Sequence, residues 1–169
     1  VAASLRSQQS FTVGLILADV SNPFFGAVAS GIEQRLFETG YSVVFGNSNN
    51  SLATERALVK VLAERRIDGL IAAPSGSTGA HLVAAAKSGI KVVLVDSDLP
   101  GAGFDCVTID NRQAARNAVA HLLALGHRRI AIVTGPCEAV FDRERLQGYR
   151  ESIEEAGVRF DERLVLRAD

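Results

Sequence analysis

No uninterrupted apolar run in this 169-residue chain approaches the roughly 18 residues needed to cross a bilayer, so no membrane-spanning helix is expected. The opening stretch VAASLRSQQS has neither the basic start nor the apolar centre of a secretory signal. Cysteine is scarce. Cys106 and Cys137 stand without a CxxC pair or a matching histidine cluster, which argues against a zinc site and a disulfide framework and reads as two buried thiols in a reducing cytoplasm. A basic surplus is missing as well: the net charge is −1 and the pI about 6.4. Neutralising phosphates drives nucleic-acid affinity, so any DNA contact has to come from a small local element or from residues outside this sequence.

The residues of a reaction are equally absent. No GxGxxG follows the first predicted strand, where ADVSNPFF stands instead, and there is no Walker sequence. No Ser/His/Asp, Cys/His or His/Glu metal spacing occurs, and no paired acids sit at a catalytic separation. His81 and His121 lie in predicted helices among alanine and leucine, and His127 follows a helix-stopping glycine, so all three read as structural or surface residues. The expectation is a binder with no cofactor, no metal and no enzymatic activity.

What is present is a regular alternation of short apolar runs with amphipathic stretches. FTVGLILA (11–18) reads as a strand covered on both faces. Asn22 suits a helix N-cap and Pro23 the first helical position, and Phe25, Ala29, Ile32 and Leu36 then follow at helical spacing up to Gly40. YSVVFGN is the second strand. A helix from about Ser51 should bury Leu58, Val61 and Leu62. IDGLIAAPS, a helix over 78–88, IKVVLVDS, FDCVTID, a helix over 111–125, RRIAIVTGP, a helix over 142–156 and RLVLRA continue the series. The pattern predicts an α/β fold of parallel sheets with helices on both faces. The rhythm breaks at VDSDLPGAGFDCVTID, where two strands are joined without a helix. That places a lobe boundary near 108–111, giving a first lobe over 11–109 and a second over 110–169. A second lobe of two helices and two strands exposes apolar faces and an unpaired edge, so the sequence reads as part of a longer chain.

Ligands of open parallel sheets bind beyond the carboxyl ends of the strands. Polar residues gather there: Asp19 after the first strand, Asn47 after the second, Ser75 after the third and Asp96 after the fourth, with Arg145 early in a later helix. Asn22, Phe24 and Phe25 open the helix that follows Asp19. Adjacent helical residues point about 100° apart, so the two rings cannot share one buried stripe. Phe25 falls on the core stripe and Phe24 off it, which makes Phe24 the better placed of the two to stack on a guest. Aromatic faces, carboxylates and a guanidinium fork suit a polyhydroxylated or heterocyclic small molecule.

The ordered set VGLILADVSNPFF, GIEQRLFETGYSVVFGNSNN, ERRIDGLIAAPS, VVLVDSD, VTIDN, HLLALGHRRIAIVTGP and RERLQGYRE resembles the effector-binding core of LacI/GalR (lactose-repressor) family transcription regulators. These regulators share their fold with periplasmic sugar-binding proteins. The resemblance spans almost the whole chain. It implies a type I periplasmic-binding-protein-like fold, nearly complete in the first lobe and partial in the second. It also implies ligand contacts from Phe24, Phe25, Ser75 and Asp96, and from Arg145 in RLQGY. By position, residues 1–10 look like the remnant of the hinge that joins a DNA-reading headpiece to the core, with Leu5 as the residue wedged into the minor groove. Further implications are a cytoplasmic homodimer, operator DNA bound through a headpiece outside this sequence, and a sugar or purine-like effector held between the lobes. The alternative is a periplasmic sugar-binding protein of a transport system, which has the same fold and cleft chemistry. The hinge-like start and the lack of an export signal stand against it.

Overall fold

The structure, a computed structural model, describes residues 9–135 and 140–168. The chain divides into two units, Val1–Val107 and Thr108–Asp169. The first runs through β1 (Thr12–Leu17), α1 (Pro23–Glu38), β2 (Ser42–Asn47), α2 (Leu52–Glu64), β3 (Gly69–Ala72), α3 (Ala80–Lys87), β4 (Lys91–Val95) and β5 (Asp105–Val107). All five strands are parallel, in the order β2-β1-β3-β4-β5. The parallel α/β architecture expected from the alternation of strands and helices is the one the chain adopts.

β1 lies between β2 and β3 and is buried on both faces, as its nearly unbroken apolar sequence requires. Its side chains alternate. Leu15 and Leu17 join Phe25 of α1, while Ile16 joins Val59 and Leu62 of α2 and Leu82 of α3. One strand thus nails a helix layer to each side of the sheet. The helix starts follow their local chemistry: the Asn22 side-chain oxygen accepts from the Phe24 N–H at 3.0 Å with Pro23 next to it, and Ser51 accepts from the Thr54 N–H at 3.3 Å. Gly40, at φ +81°, turns the chain out of α1 through a region closed to most side chains.

The expected buried face of α2 needs correction. Val61 is 46% exposed, and the buried stripe is Glu55, Val59 and Leu62. Positions four and three apart share a helix face, and Val61 lies about 100° off Leu62. The connection from β4 to β5 has no helix. Its Leu99 is buried against the core cluster containing Leu82 and Leu94, which anchors the loop. At the opposite end of the sheet, the Asp68 carboxylate accepts from the Ser10 and Phe11 N–H groups at 2.9 and 2.8 Å and fixes the chain as it enters β1.

The second unit contains α4 (Asn111–Ala124), β6 (Ile132–Thr134), α5 (Val140–Glu155), a 3-10 turn (Glu162–Leu164) and β7 (Val165–Arg167), with β6 and β7 paired in parallel. Its core is Val119, Ile130, Tyr149 and Ile153, and the buried Tyr149 hydroxyl donates to the Ile130 carbonyl at 2.8 Å. The helices α4 and α5 meet at Gly148. A Cβ there would collide with the Arg112 carbonyl oxygen and lie 3.2 Å from the Ala115 Cβ. Arg112 and Arg116 bridge across to Glu151 and Glu155. Both strands are shorter than the sequence suggests, because each ladder has one partner and ends with it.

Candidate functional site

The sheet order reverses between β1 and β3: the chain leaves β1 for β2 on one side and returns to β3 on the other. Residues following these two strands therefore emerge side by side at a topological switch point. Ile16 pairs with Ala72 and Leu17 with Asn47, so Asp19 to Phe25 rises beside Ser75 on one flank and Asn47 on the other. Leu94 of β4 pairs with Ala72, which brings Asp96 to the same end of the sheet.

Each side chain in this row has a defined local environment. Asp19 Oδ1 accepts from the Ser21 hydroxyl at 2.7 Å and the Ser21 N–H at 2.9 Å. These two bonds, the hydroxyl first, hold its carboxyl below the ordinary carboxylate range. The Asn22 oxygen is committed to capping α1, which leaves its amide NH2 as the donor it can offer. Phe25 is 6% exposed and packs among Leu15, Leu17, Ala18 and Ala73. Phe24 is 41% exposed and meets Phe25 edge-on, with centroids 5.2 Å apart. The buried ring thus holds the exposed one in place. Asn47 is spent on its own loop, its Nδ2 donating to Asn49 at 2.7 Å.

Asp96 sits at φ +70°, a left-handed conformation that Asp tolerates better than most residues, and its N–H donates to the Val107 carbonyl at 2.9 Å. Burial first, then the charges of Asp98 and Asp96, push the Cys106 thiol up, so this cysteine is poorly suited to act as a nucleophile. Cys137 lies outside the described residues, as does Leu5. Among the described residues, no three His, Cys, Asp or Glu side chains gather as a metal ion would require.

Ser75 carries most of the polar chemistry. Its N–H donates to Glu55 Oε2 at 2.5 Å, and its hydroxyl lies 2.6 Å from that of the fully buried Ser48. The Ser48 hydroxyl, with one hydrogen to give, also lies 3.2 Å from the Leu17 carbonyl. Either serine can be the donor between the two hydroxyls, and in both cases the Ser75 oxygen keeps a lone pair with which to accept. Ser48 and Glu55 were not singled out in the sequence. A serine in a loop and an acid in a helix's first turn are each common there for local reasons. The signal available was the spacing Glu55, Val59, Leu62, which puts a carboxylate on a buried stripe. His81, read as structural, meets Glu55 Oε1 at 2.6 Å.

In the second unit, Arg145 of α5 donates from Nε to the Asn111 side-chain oxygen at 2.8 Å, and its guanidinium lies 5.1 Å from the centre of the Phe141 ring. Asn111 is 2% exposed. The sequence marked the arginine but not the asparagine that orients it.

Residues 10–169 match the family model for periplasmic binding proteins and the sugar-binding domain of the LacI family. The HTH-type transcriptional regulator GalR of Escherichia coli is 34% identical over 97% of this chain and 48% of its own length. A Burkholderia thailandensis protein provisionally designated a ribose operon repressor superposes with a TM-score of 0.88 at 37% identity, covering 94% of this chain and 61% of that one. The Cra transcriptional dual regulator of Pseudomonas putida, solved with fructose 1-phosphate, gives 0.84 at 28% identity over 94% of this chain and 57% of its own. The chain spans about half the length of the relatives it matches. On the family match and these relatives, the chain belongs to the family of periplasmic binding proteins and LacI-type sugar-binding domains.

Proposed function

We propose that this chain is the effector-sensing core of a DNA-binding transcription regulator, a repressor in the main, and that its ligand is a sugar or a nucleobase-type compound that is bound and not transformed. The observation that carries this reading is the row beyond β1, β3 and β4: an exposed ring at Phe24, an acceptor at Ser75 and a carboxylate at Asp96 leave adjacent parallel strands at the same end. A ring face supplies apolar contact, and the oxygens take hydrogens from a guest's hydroxyl or amine groups. Asp19, Asn22 and Arg145 are further proposed contacts, and Phe25 serves as the support of Phe24.

The whole protein is read as a cytoplasmic homodimer whose headpieces bind operator DNA, with residues 1–10 as part of the hinge and Leu5 as its minor-groove wedge. Support comes from relatives named as transcription regulators, one of them solved with fructose 1-phosphate. No helix among the described residues is long and apolar enough to cross a membrane. A transport role for the same fold is not favoured by these relatives. The effector acts by binding one arrangement of the regulator better than another, and only that difference shifts operator affinity.

The test is a thermal-shift screen of the full-length protein against D-ribose, D-fructose 1-phosphate and hypoxanthine. A compound at a hundredfold excess over its Kd stabilises by about 2.7 kcal/mol. Phe24→Ala is expected to remove most of that shift. Turnover of any of the three compounds, or a shift that survives the substitution intact, contradicts the proposal.

A further inference from the structure

Glu55 has no exposed surface, although it carries a carboxylate in the first turn of α2. A buried charge is costly unless it is paired and hydrogen-bonded, and here both oxygens are engaged. Oε2 accepts the Ser75 N–H at 2.5 Å, and Oε1 meets His81 Nε2 from α3 at 2.6 Å. The His81 side chain is 11% exposed, and its Nδ1 is buried without a hydrogen-bond partner. An ionised carboxylate only accepts, so Nε2 is the donor of this contact. The ring is therefore oriented through Glu55.

The loop between β3 and α3 is thus gripped twice at Ser75, by Glu55 on its main chain and by Ser48 on its hydroxyl. Stability alone does not explain a carboxylate here, because a well-packed apolar side chain commonly serves a core as well as a buried ion pair does. What an apolar residue cannot do is hold a main-chain N–H in a set place.

We propose that Glu55 is a positioning residue for the ligand pocket: it clamps the main chain at Ser75, with His81 as buttress, so that the Ser75 oxygen meets the guest at a fixed point. The inference rests on the reading of Ser75 as a pocket residue. Glu55 itself, being covered, makes no contact with the guest.

The test uses the full-length protein and Glu55→Gln, which keeps the shape and one acceptor but removes the charge. Charge-assisted hydrogen bonds are roughly twice as strong as neutral ones, so the Ser75 amide should exchange with solvent about tenfold faster in Glu55→Gln. Glu55→Ala should raise it further, and if that variant does not fold, Glu55→Gln decides. The Leu15 and Leu70 amides, in the central strands, should keep their wild-type rates in Glu55→Gln. Whichever of D-ribose, D-fructose 1-phosphate or hypoxanthine stabilises the wild-type protein should bind Glu55→Gln at least about fivefold more weakly. An unchanged Ser75 amide overturns the clamp, and equal acceleration at Ser75, Leu15 and Leu70 reduces Glu55 to a structural residue. If Ser75→Ala leaves binding intact, or none of the three compounds binds the wild type, the pocket assignment falls. The exchange data then still decide on the clamp, because they need no ligand.

Discussion

Replacing glycine by alanine inside a helix should act in opposite directions at two places in this chain. At Gly31, in exposed α1, a Cβ meets nothing within 4 Å. The substitution gains the helix preference of alanine over glycine, about 1 kcal/mol. At Gly148 the same added carbon runs into the Arg112 carbonyl oxygen, lies 3.0 Å from the carbonyl carbon and 3.2 Å from the Ala115 Cβ. Two of these three atoms are main chain, so no side-chain rotation relieves the contact. The helices α4 and α5 have to part by roughly 1 Å to restore ordinary van der Waals separation. That movement loosens the packing of Val119 against Tyr149 and stretches the forked bonds from Arg112 to Glu151. Overpacking of this kind costs up to about 3 kcal/mol, and the helix preference returns about 1, for a net loss of about 2 kcal/mol. Native-state hydrogen exchange at the Val119 and Ile153 amides should then be about thirtyfold faster in Gly148→Ala, a tenfold change being worth about 1.4 kcal/mol. Amides of α1 should be slower in Gly31→Ala. Protection at Val119 and Ile153 that is unchanged or higher in Gly148→Ala refutes the argument that α4 and α5 are held at closest approach there.

Two other predictions bear on the rings and the charges. Phe25→Ala should cost about 3–5 kcal/mol in urea denaturation, as expected for emptying a buried aromatic site, while Phe24→Ala, which loses one edge-on ring contact, should cost no more than about 1.5 kcal/mol. Equal losses would mean that Phe24 is as much a core residue as its neighbour. In the second unit, hydrogen bonds from Arg112 chiefly, with help from Gln147 and Arg116, lower the Glu151 carboxyl from 4.5 to about 2. A carboxyl depressed on folding stabilises at pH values above its unfolded range and loses that contribution as pH falls through its folded value. The second unit should therefore lose stability between pH 4.5 and about 2, and Glu151→Gln should flatten that part of the curve. A carboxyl NMR titration that finds Glu151 near 4.5 in the wild type would dismiss the effect.

The residues whose signals are local were readable in advance. DVSNPFF combines an N-cap, a proline at the first helical position and two rings about 100° apart, and the helical spacing of Phe25 to Ala29, Ile32 and Leu36 then tells which ring is buried without any knowledge of the sheet. The strand–helix alternation likewise reflects periodicity that each segment carries by itself. Val61 was misread because three apolar residues, Leu58, Val61 and Leu62, suggested a face whose true centre includes a glutamate. Apolarity is the cue for burial, and Glu55 is buried for its hydrogen bonds instead. Ser48 and Asn111 were missed for the same reason: each matters through partners far away in sequence, Ser75 and Arg145. β6 and β7 came out shorter than read because strand length depends on the neighbours available to pair with, which no single segment reveals.

The single hydrogen on Ser48 has an effect that reaches past its own site. When that hydrogen goes to the Leu17 carbonyl, Ser75 turns its own hydrogen inward and faces a guest with lone pairs alone; when it goes to Ser75, the Ser75 hydrogen is offered outward. On the reading proposed, a hydroxyl or amine is welcome there in either arrangement, because it can supply the hydrogen that Ser75 accepts, and a deoxy analogue leaves the serine unanswered. Sites built around a hydrogen bond discriminate against the analogue lacking it far more sharply than apolar pockets discriminate by a methylene. Comparing a sugar with its singly deoxygenated forms would then identify which of its oxygens comes to rest beside Ser75.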